Sequence, residues 1–429
     1  MAFDESITSP RLMLLQKELA AGNANALEAF WQEIATRGTP LVESIDDDPG
    51  HVLVTFLWQT QEEIKNVLAV IVTGGHFDLV DMQLSRLPRT DLWRKTHKLR
   101  NDARTIYWMA PNDSLAPLAE AIEAKNFQER IRHWQSDPLN PHPFIIPIDD
   151  GDPYSNETHA SILELPQASP QPWVAPRPGA PAGRVELHRF HSDILGNERR
   201  VWVYTPAGYT ANDAAYDLLV LFDGWAYTSI VPTPTILDNL LADKLISPTV
   251  AVLIDNVDGK SRGRELSCHA PFAEFLAQEL IPWVHQRYHV TSDPARTTIG
   301  GSSSGGVAAV FAGLKHPGLF GNILSQSGAF WWKPEADDEA EWLARQFVLT
   351  DKLPLRFYLD VGIFESENHP VFPSIRLSNR HMRNILQARG YPLHYAEYGG
   401  GHDYICWQGT LADGLLALVG LDPAKKLKD

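Results

Sequence analysis

The 429-residue chain carries 37 Lys and Arg against 53 Asp and Glu, a formal charge of -16, with 44% hydrophobic and 21% charged residues. That length and composition predict two or three soluble domains, and the negative field excludes nucleic acid and anionic membrane partners unless basic residues are concentrated locally. Two cysteines, Cys268 and Cys406, are too few for a disulfide framework and fit a reducing cytosol; residues 1–5 (MAFDE) are acidic where a signal peptide is basic, and no apolar run approaches the roughly 18 residues that span a bilayer.

In chain order, Ser9-Pro10 reads as an N-cap and first-turn proline of a helix with Leu12, Leu15 and Leu19 on one face, stopped at Gly22. A second helix is expected through Leu27, Phe30 and Trp31, ending near Gly38. Residues 51–58 (HVLVTFLW), 66–72, 92–99 and 105–109 (TIYWM) are short, β-branched and aromatic, the pattern of a small antiparallel sandwich. A further helix is expected over 115–134. Six prolines between 166 and 181 predict an extended, poorly packed junction, which sets boundaries of 1–165 for a β-sandwich domain with a helical start, 166–184 for the linker and 185–429 for the catalytic domain. Beyond the junction, apolar strands at 199–204, 218–222, 249–254, 297–300, 322–325, 355–361 and 393–398 alternate with helices, including 272–288 and 379–389. That grammar implies a mainly parallel sheet covered on both faces.

The segment Gly301-Ser302-Ser303-Ser304-Gly305 fits G-x-S-x-G between a β-rich stretch and a small-residue helix. A serine on a sharp strand-to-helix turn is exposed at the sheet's edge, and the helix N-terminus favours developing negative charge. Only Ser303 has glycine at both -2 and +2, so it is the expected nucleophile. His402 follows Gly399-Gly400-Gly401 after the last strand, where a flexible loop can deliver an imidazole. The acid is expected after the penultimate strand, at Glu365; Asp360, within that strand, is expected to point into the core or at a helix, and Glu367 and Asp403 remain alternatives. The order Ser303, Glu365, His402 is that of an α/β-hydrolase triad. Oxyanion donors are expected from the N–H of Ser304 and from the loop Asp223-Gly224-Trp225. Lys260, Arg262 and Arg264 form a local cation source, and Trp225, Trp331, Trp332 and Trp407 lie close to the catalytic elements, suited to walling a pocket for aromatic rings.

Residues 221–225 (LFDGW), 262–268 (RGRELSC), 301–306 (GSSSGG), 324–332 (LSQSGAFWW) and 400–407 (GGHDYICW) resemble the cytoplasmic ferric enterobactin (enterochelin) esterases. The amino-terminal half is similar too, at Phe30-Trp31, 54–58 (VTFLW), 136–140 (SDPLN) and 162–167 (ILELPQ). The resemblance covers nearly the whole chain. It implies an immunoglobulin-like sandwich preceding an α/β-hydrolase of the esterase D type, acting in the cytoplasm on the ester bonds of an iron-loaded tricatecholate trilactone. On matching positions it makes Ser303 the nucleophile, Glu365 the acid, His402 the base and Arg262 the substrate-binding arginine. Ser304 departs from the family, which carries a larger apolar residue there, and this implies a wider pocket. No catalytic metal or other cofactor is expected, because the iron arrives within the substrate, a ferric catecholate siderophore. The alternatives are a feruloyl or acetyl carbohydrate esterase and a non-catalytic siderophore-binding protein.

Overall fold

The computed structural model describes residues 9–71, 81–116, 127–153, 155–212, 214–366 and 374–421. Its contacts divide the chain into two units, the first Met1–Ser169 with the returning segment Tyr398–Asp403, the second Pro170–Ser366, Ser374–Glu397 and the residues from Tyr404 onward.

The first unit opens with α1 (Pro10–Ala20), whose N-cap Ser9 accepts the Leu12 N–H at 3.1 Å, and α2 (Ala26–Arg37), which buries Phe30, Trp31 and Ile34. Two antiparallel sheets follow. One has the order β1 (Leu41–Ser44), β2 (His51–Gln59), β5 (Leu92–Arg100), β4 (Ser85–Arg86). The other has β3 (Val67–Ile71), β6 (Arg104–Pro111), β8 (Thr158–Glu164), β7 (Pro143–Ile146). Phe56 of β2 meets Tyr107 of β6 edge-to-face at 4.9 Å, joining the two inner faces into one core. The helix expected over 115–134 is shorter than its pattern suggested. Among the described residues only α3 (Phe127–Ile131) is helical, Leu115 has left-handed backbone at φ 57°, and residues 117–126 lie outside the description.

The second unit is an eight-stranded sheet, ordered β16 (Leu393–Tyr398), β15 (Arg356–Gly362), β14 (Asn322–Gln326), β13 (Thr297–Ser302), β11 (Asp217–Leu221), β12 (Thr249–Ile254), β10 (Asn197–Thr205), β9 (Arg184–Ser192). Strands β11 to β15 run parallel, and β10 pairs antiparallel with both β12 and β9. The connecting helices are α4 (Gly224–Ser229), α5 (Thr233–Ala242), α6 (Gly259–Glu265), α7 (Ala270–Phe275), α8 (Ile281–Arg287), α9 (Ser304–Lys315), α10 (Trp342–Leu349), α11 (Ile375–Ala388) and α12 (Tyr404–Val419). A π-helical turn, Leu276–Leu280, joins α7 to α8. Strands β11 to β14 are buried at every residue, and the apolar runs LLVL of β11 and VAVLI of β12 reflect that cover.

The proline-rich segment is better packed than its composition predicted. In the first unit, Gln167 N–H bonds the Asn101 carbonyl at 2.9 Å. In the second, the Asn239 amide holds the carbonyls of Trp173 and Ala175 at 2.8 and 2.9 Å, and Arg177 bonds Asn239 in turn. A single buried asparagine supplies what proline backbone, lacking N–H donors, cannot supply for itself.

Candidate active site

Strand β11 has β12 on one side and β13 on the other, so the chain reverses its direction of sheet growth there. The carboxyl ends of β11 and β13 flank this switch point, the place where open α/β sheets bind their ligands. Register aligns the site: Leu221 lies beside Gly300, Ser302 beside Gln326, and Gln326 beside Asp360. Within two residues of the ends of β11, β13 and β14 stand Asp223, Ser303 and Ser327, with φ of 53°, 56° and 49°. Left-handed backbone at a non-glycine residue costs about 1 kcal/mol or more. Three such residues at one edge of one sheet mark a place where geometry is held against local preference.

Ser303 is half-buried, with φ 56° and ψ -120°, as the N-cap of α9. Its N–H donates to the Gln326 carbonyl at 2.9 Å, and its carbonyl accepts from Ala329 at 3.2 Å, so neighbouring backbone over-determines the strained turn. The glycines around Ser303 are not equally constrained. A Cβ at Gly305 would meet only ordinary contacts, whereas one at Gly306 would sit 2.3 Å from Ser325 Oγ. The close approach that demands glycine is therefore at +3, with Gly301, where a Cβ would lie 3.0 Å from Gly305, a lesser constraint.

Glu365 is buried at 1% exposure, in the turn closing β15. Its Oε1 accepts from Ser327 Oγ and from Gly362 N–H, both at 2.7 Å, while Trp407 Nε1 donates to the same Ser327 hydroxyl at 3.2 Å. The carboxyl is thus aimed by a hydroxyl and a backbone amide. Asp360 lies within β15, wholly buried; its Oδ1 accepts the Ser327 N–H, and burial, with the nearby Glu365 charge, pushes its pKa up to about 8. A carboxyl protonated at neutral pH is a poor orienter of a base, which favours Glu365. The alternative Glu367 lies outside the described residues.

His402 is half-buried in the segment Tyr398–Asp403, which groups with the first unit, whereas Ser303 and Glu365 belong to the second. The remaining alternative acid, Asp403, turns its Oδ2 to Thr105 Oγ1 at 2.6 Å and to the Ile106 N–H at 3.4 Å.

Ser304 and Gly224 are the first residues of α9 and α4, so their N–H groups have no acceptor within the helix, as an oxyanion donor requires. Gly224 also fits its expected close approach: a Cβ there would lie 2.7 Å from the Leu253 carbonyl. The expected donor at Trp225 is corrected. Its N–H already bonds Asp255 Oδ1 at 3.2 Å.

The cation cluster sits on α6, which is capped by a reciprocal Asp258–Ser261 box and anchored by the wholly buried Arg199–Glu265 ion pair at 2.9 Å. Arg262 grips Asp223 through Nε and Nη2, at 2.6 and 2.8 Å, and Asn256 donates to the same carboxylate at 2.5 Å. A third of the Arg262 side chain remains exposed, and the Asp223 charge raises its affinity for its proton still further. Lys260 is exposed, and Arg264 is half exposed while bonding Glu265. Trp225, Trp331 and Trp332 are half-buried, Trp332 resting edge-on against Trp342. Trp407, expected in the pocket wall, is corrected: at 4% exposure it is core, and its indole serves the Ser327–Glu365 network. Ser327, Asp255 and Asn256 were not expected as site residues; the only local signal for Ser327 was its place in a Ser-Gly turn directly after an apolar strand.

Among the described residues, no group of three or more His, Cys, Asp or Glu side chains is arranged to hold a metal ion, and no helix is long and apolar enough to cross a membrane. A cavity of about 500 Å³ lined by Pro206, Tyr216, Asp238, Lys244 and Pro248 opens at the amino ends of β11 and β12, the opposite end of the sheet from Ser303.

Residues 192–418 match the Esterase family, and residues 53–174 match the family described as enterochelin esterase, N-terminal. An iron(III) enterobactin esterase of Dickeya dadantii is 32% identical over 94% of this chain and 95% of its own length. An iron(III) enterobactin esterase of Escherichia coli K12 is 31% identical over 91% and 96%. The crystal structure of an enterobactin esterase from Shigella flexneri, in the presence of enterobactin, superposes with a TM-score of 0.71 at 29% identity, covering 91% of this chain and 97% of that one.

Proposed function

The chain belongs to the iron(III) enterobactin esterase family, and from that membership we propose a serine esterase that hydrolyses the trilactone ester bonds of an iron-loaded catecholate siderophore such as ferric enterobactin, releasing iron in the cytoplasm. The observation that carries the chemistry is Ser303, held at φ 56° on the turn between a buried strand and a helix N-terminus. The match of the amino-terminal unit to the enterochelin esterase family favours the siderophore over a feruloylated sugar.

In this reading His402 takes the proton of Ser303 Oγ as it attacks a serine-lactone carbonyl, and Glu365 orients the imidazole. The N–H groups of Ser304 and Gly224 hold the oxyanion. His402 then protonates the departing serine hydroxyl, and water releases the acyl-enzyme by the same route. Iron enters as part of the substrate and no resident cofactor takes part. A ferric tricatecholate carries about three negative charges and is repelled at long range by a chain at -16, so the exposed face of Arg262, with Lys260 and Arg264, supplies the local attraction. Trp225, Trp331 and Trp332 are the aromatic surfaces offered to catechol rings.

The test is incubation with ferric and iron-free enterobactin, following opening of the trilactone. Wild-type protein is expected to cleave it, and Ser303→Ala to lose about 10⁴- to 10⁶-fold in rate. Intact trilactone bound tightly by the wild type would point to a carrier, and cleavage of feruloylated sugar alone to a carbohydrate esterase.

A further inference from the structure

We propose that strand β6 of the amino-terminal sandwich is the mount of the loop that carries the base, with Thr105 and Asp403 as positioning residues for His402. The proposal rests on the reading of His402 as base. The loop, Tyr398–Asp403, contains three consecutive glycines, and fixing each loop residue costs about 1–2 kcal/mol of backbone entropy, more for glycine. An imidazole on such a segment needs anchors close on either side.

Both anchors come from residues 102–105, where the chain turns into β6. On the near side of His402, the Gly399 carbonyl accepts the Arg104 N–H at 2.8 Å, and the Asp102 backbone oxygen lies 2.6 Å from where a Cβ on Gly399 would stand. Only glycine lets the loop approach so closely. On the far side, Asp403, directly after His402, bonds Thr105 Oγ1 at 2.6 Å, with Ile106 N–H a longer second donor at 3.4 Å. Thr105 is fully buried and Asp403 is 3% exposed, so breaking this bond would cost a buried, charge-assisted hydrogen bond. The strand is itself braced. Arg104 bonds Glu164 of β8 at 2.9 Å and the Ser169 carbonyl at 2.6 Å, and Arg100 pairs with Asp102. Before the loop begins, Glu397 of β16 is gripped by Arg376 and Arg380 of α11 at 3.0 and 2.5 Å. The histidine therefore stands one residue from a buried hydrogen bond and three from a backbone bond, in a segment whose approach is already clamped. This gives the sandwich a catalytic purpose: it holds the base still.

The test compares wild type, Thr105→Val, Thr105→Ser and Asp403→Ala on ferric enterobactin, with labelling of Ser303 by a fluorophosphonate as a second readout that needs no siderophore. Thr105→Val keeps shape and removes the hydroxyl; kcat should fall about 10- to 100-fold, and labelling should slow in parallel. KM should stay within about twofold, because substrate binding is left intact. Thr105→Ser should restore both rates, and Asp403→Ala, which removes the acceptor, should resemble Thr105→Val. Folding is checked by circular dichroism and the thermal midpoint. A folded Thr105→Val with wild-type kcat and labelling overturns the proposal, as does a loss confined to KM or a loss that Thr105→Ser does not repair. If Thr105→Val does not fold, Asp403→Ala decides by the same criteria. Wild-type protein without Ser303-dependent hydrolysis removes the esterase reading itself, a result distinct from active wild type with an indifferent Thr105→Val.

Discussion

The two units keep their left-handed backbone in different places. In the sandwich the non-glycine residues with positive φ are Asp47, Arg89, Asn112 and Leu115, on exposed or half-exposed turns. In the hydrolase unit Lys244, Cys268 and Glu341 likewise lie on connections, but Asp223 and Ser327 are buried and Ser303 half-buried, each within two residues of the end of a central strand. On a turn, such a residue costs little that water and loop freedom do not return. Inside the sheet edge it persists only because neighbours hold it, here the Gln326 carbonyl on Ser303, the Arg262 and Asn256 grip on Asp223, and the Asp360 carbonyl accepting the Ser327 N–H at 2.9 Å. Strain collected where polar groups converge identifies a working site, and strain on turns identifies connections.

Substitutions can break that contrast. The largest effect is expected at Gly306→Ala, where the new Cβ meets Ser325 Oγ at 2.3 Å: about 2–4 kcal/mol of lost stability in denaturant unfolding. Arg89→Gly, relieving an exposed turn in the sandwich, should change stability by no more than about 1 kcal/mol. Ser327→Ala removes a donor from Glu365 and an acceptor from Trp407, so kcat should fall by about 10- to 100-fold with KM little changed, measured by steady-state hydrolysis. Arg262→Lys keeps the charge but loses the two-pronged hold on Asp223. If the fork matters for the oxyanion loop, kcat drops about tenfold; if only attraction matters, both constants hold.

The pH dependence differs in sign between the units. Burial drives the pKa of His97, in the sandwich core against Phe56, down from 6.5 to about 3. Its neutral form belongs to the folded state, so its contribution is whole above pH 6.5 and is lost as pH falls toward 3. Asp360 runs the other way: its folded pKa is raised from 3.8 to about 8, so its contribution is whole below pH 3.8 and is lost as pH climbs toward 8. Each slope is at most about 1.4 kcal/mol per pH unit. Urea titrations across pH should show His97→Phe flattening the acid limb and Asp360→Asn the alkaline one.

Much of the site is legible before folding, because its signals are local. The elbow is a pentapeptide between a strand and a helix, Glu365 follows the buried strand β15, and His402 follows the half-buried strand β16. The errors have one cause as well. Trp407 and the N–H of Trp225 were assigned by nearness in sequence, but their partners, Ser327 and Asp255, are 80 and 30 residues away. The junction looked loose because proline offers no donors, while the asparagine that straps it sits 64 and 66 positions further on.

Patterns of a few residues were enough to establish a sandwich followed by a parallel hydrolase sheet and to place a serine at the turn between a strand and a helix. Periodicity and turn chemistry act over neighbours, so they survive in one dimension. That Glu365 accepts from Ser327 and Gly362, that Arg262 already holds Asp223, and that Asp403 bonds Thr105 of β6 are products of packing alone. The bond from Thr105 to Asp403 spans 298 residues, and no pattern along the chain encodes a contact whose only cause is that both groups are buried together and each needs a partner.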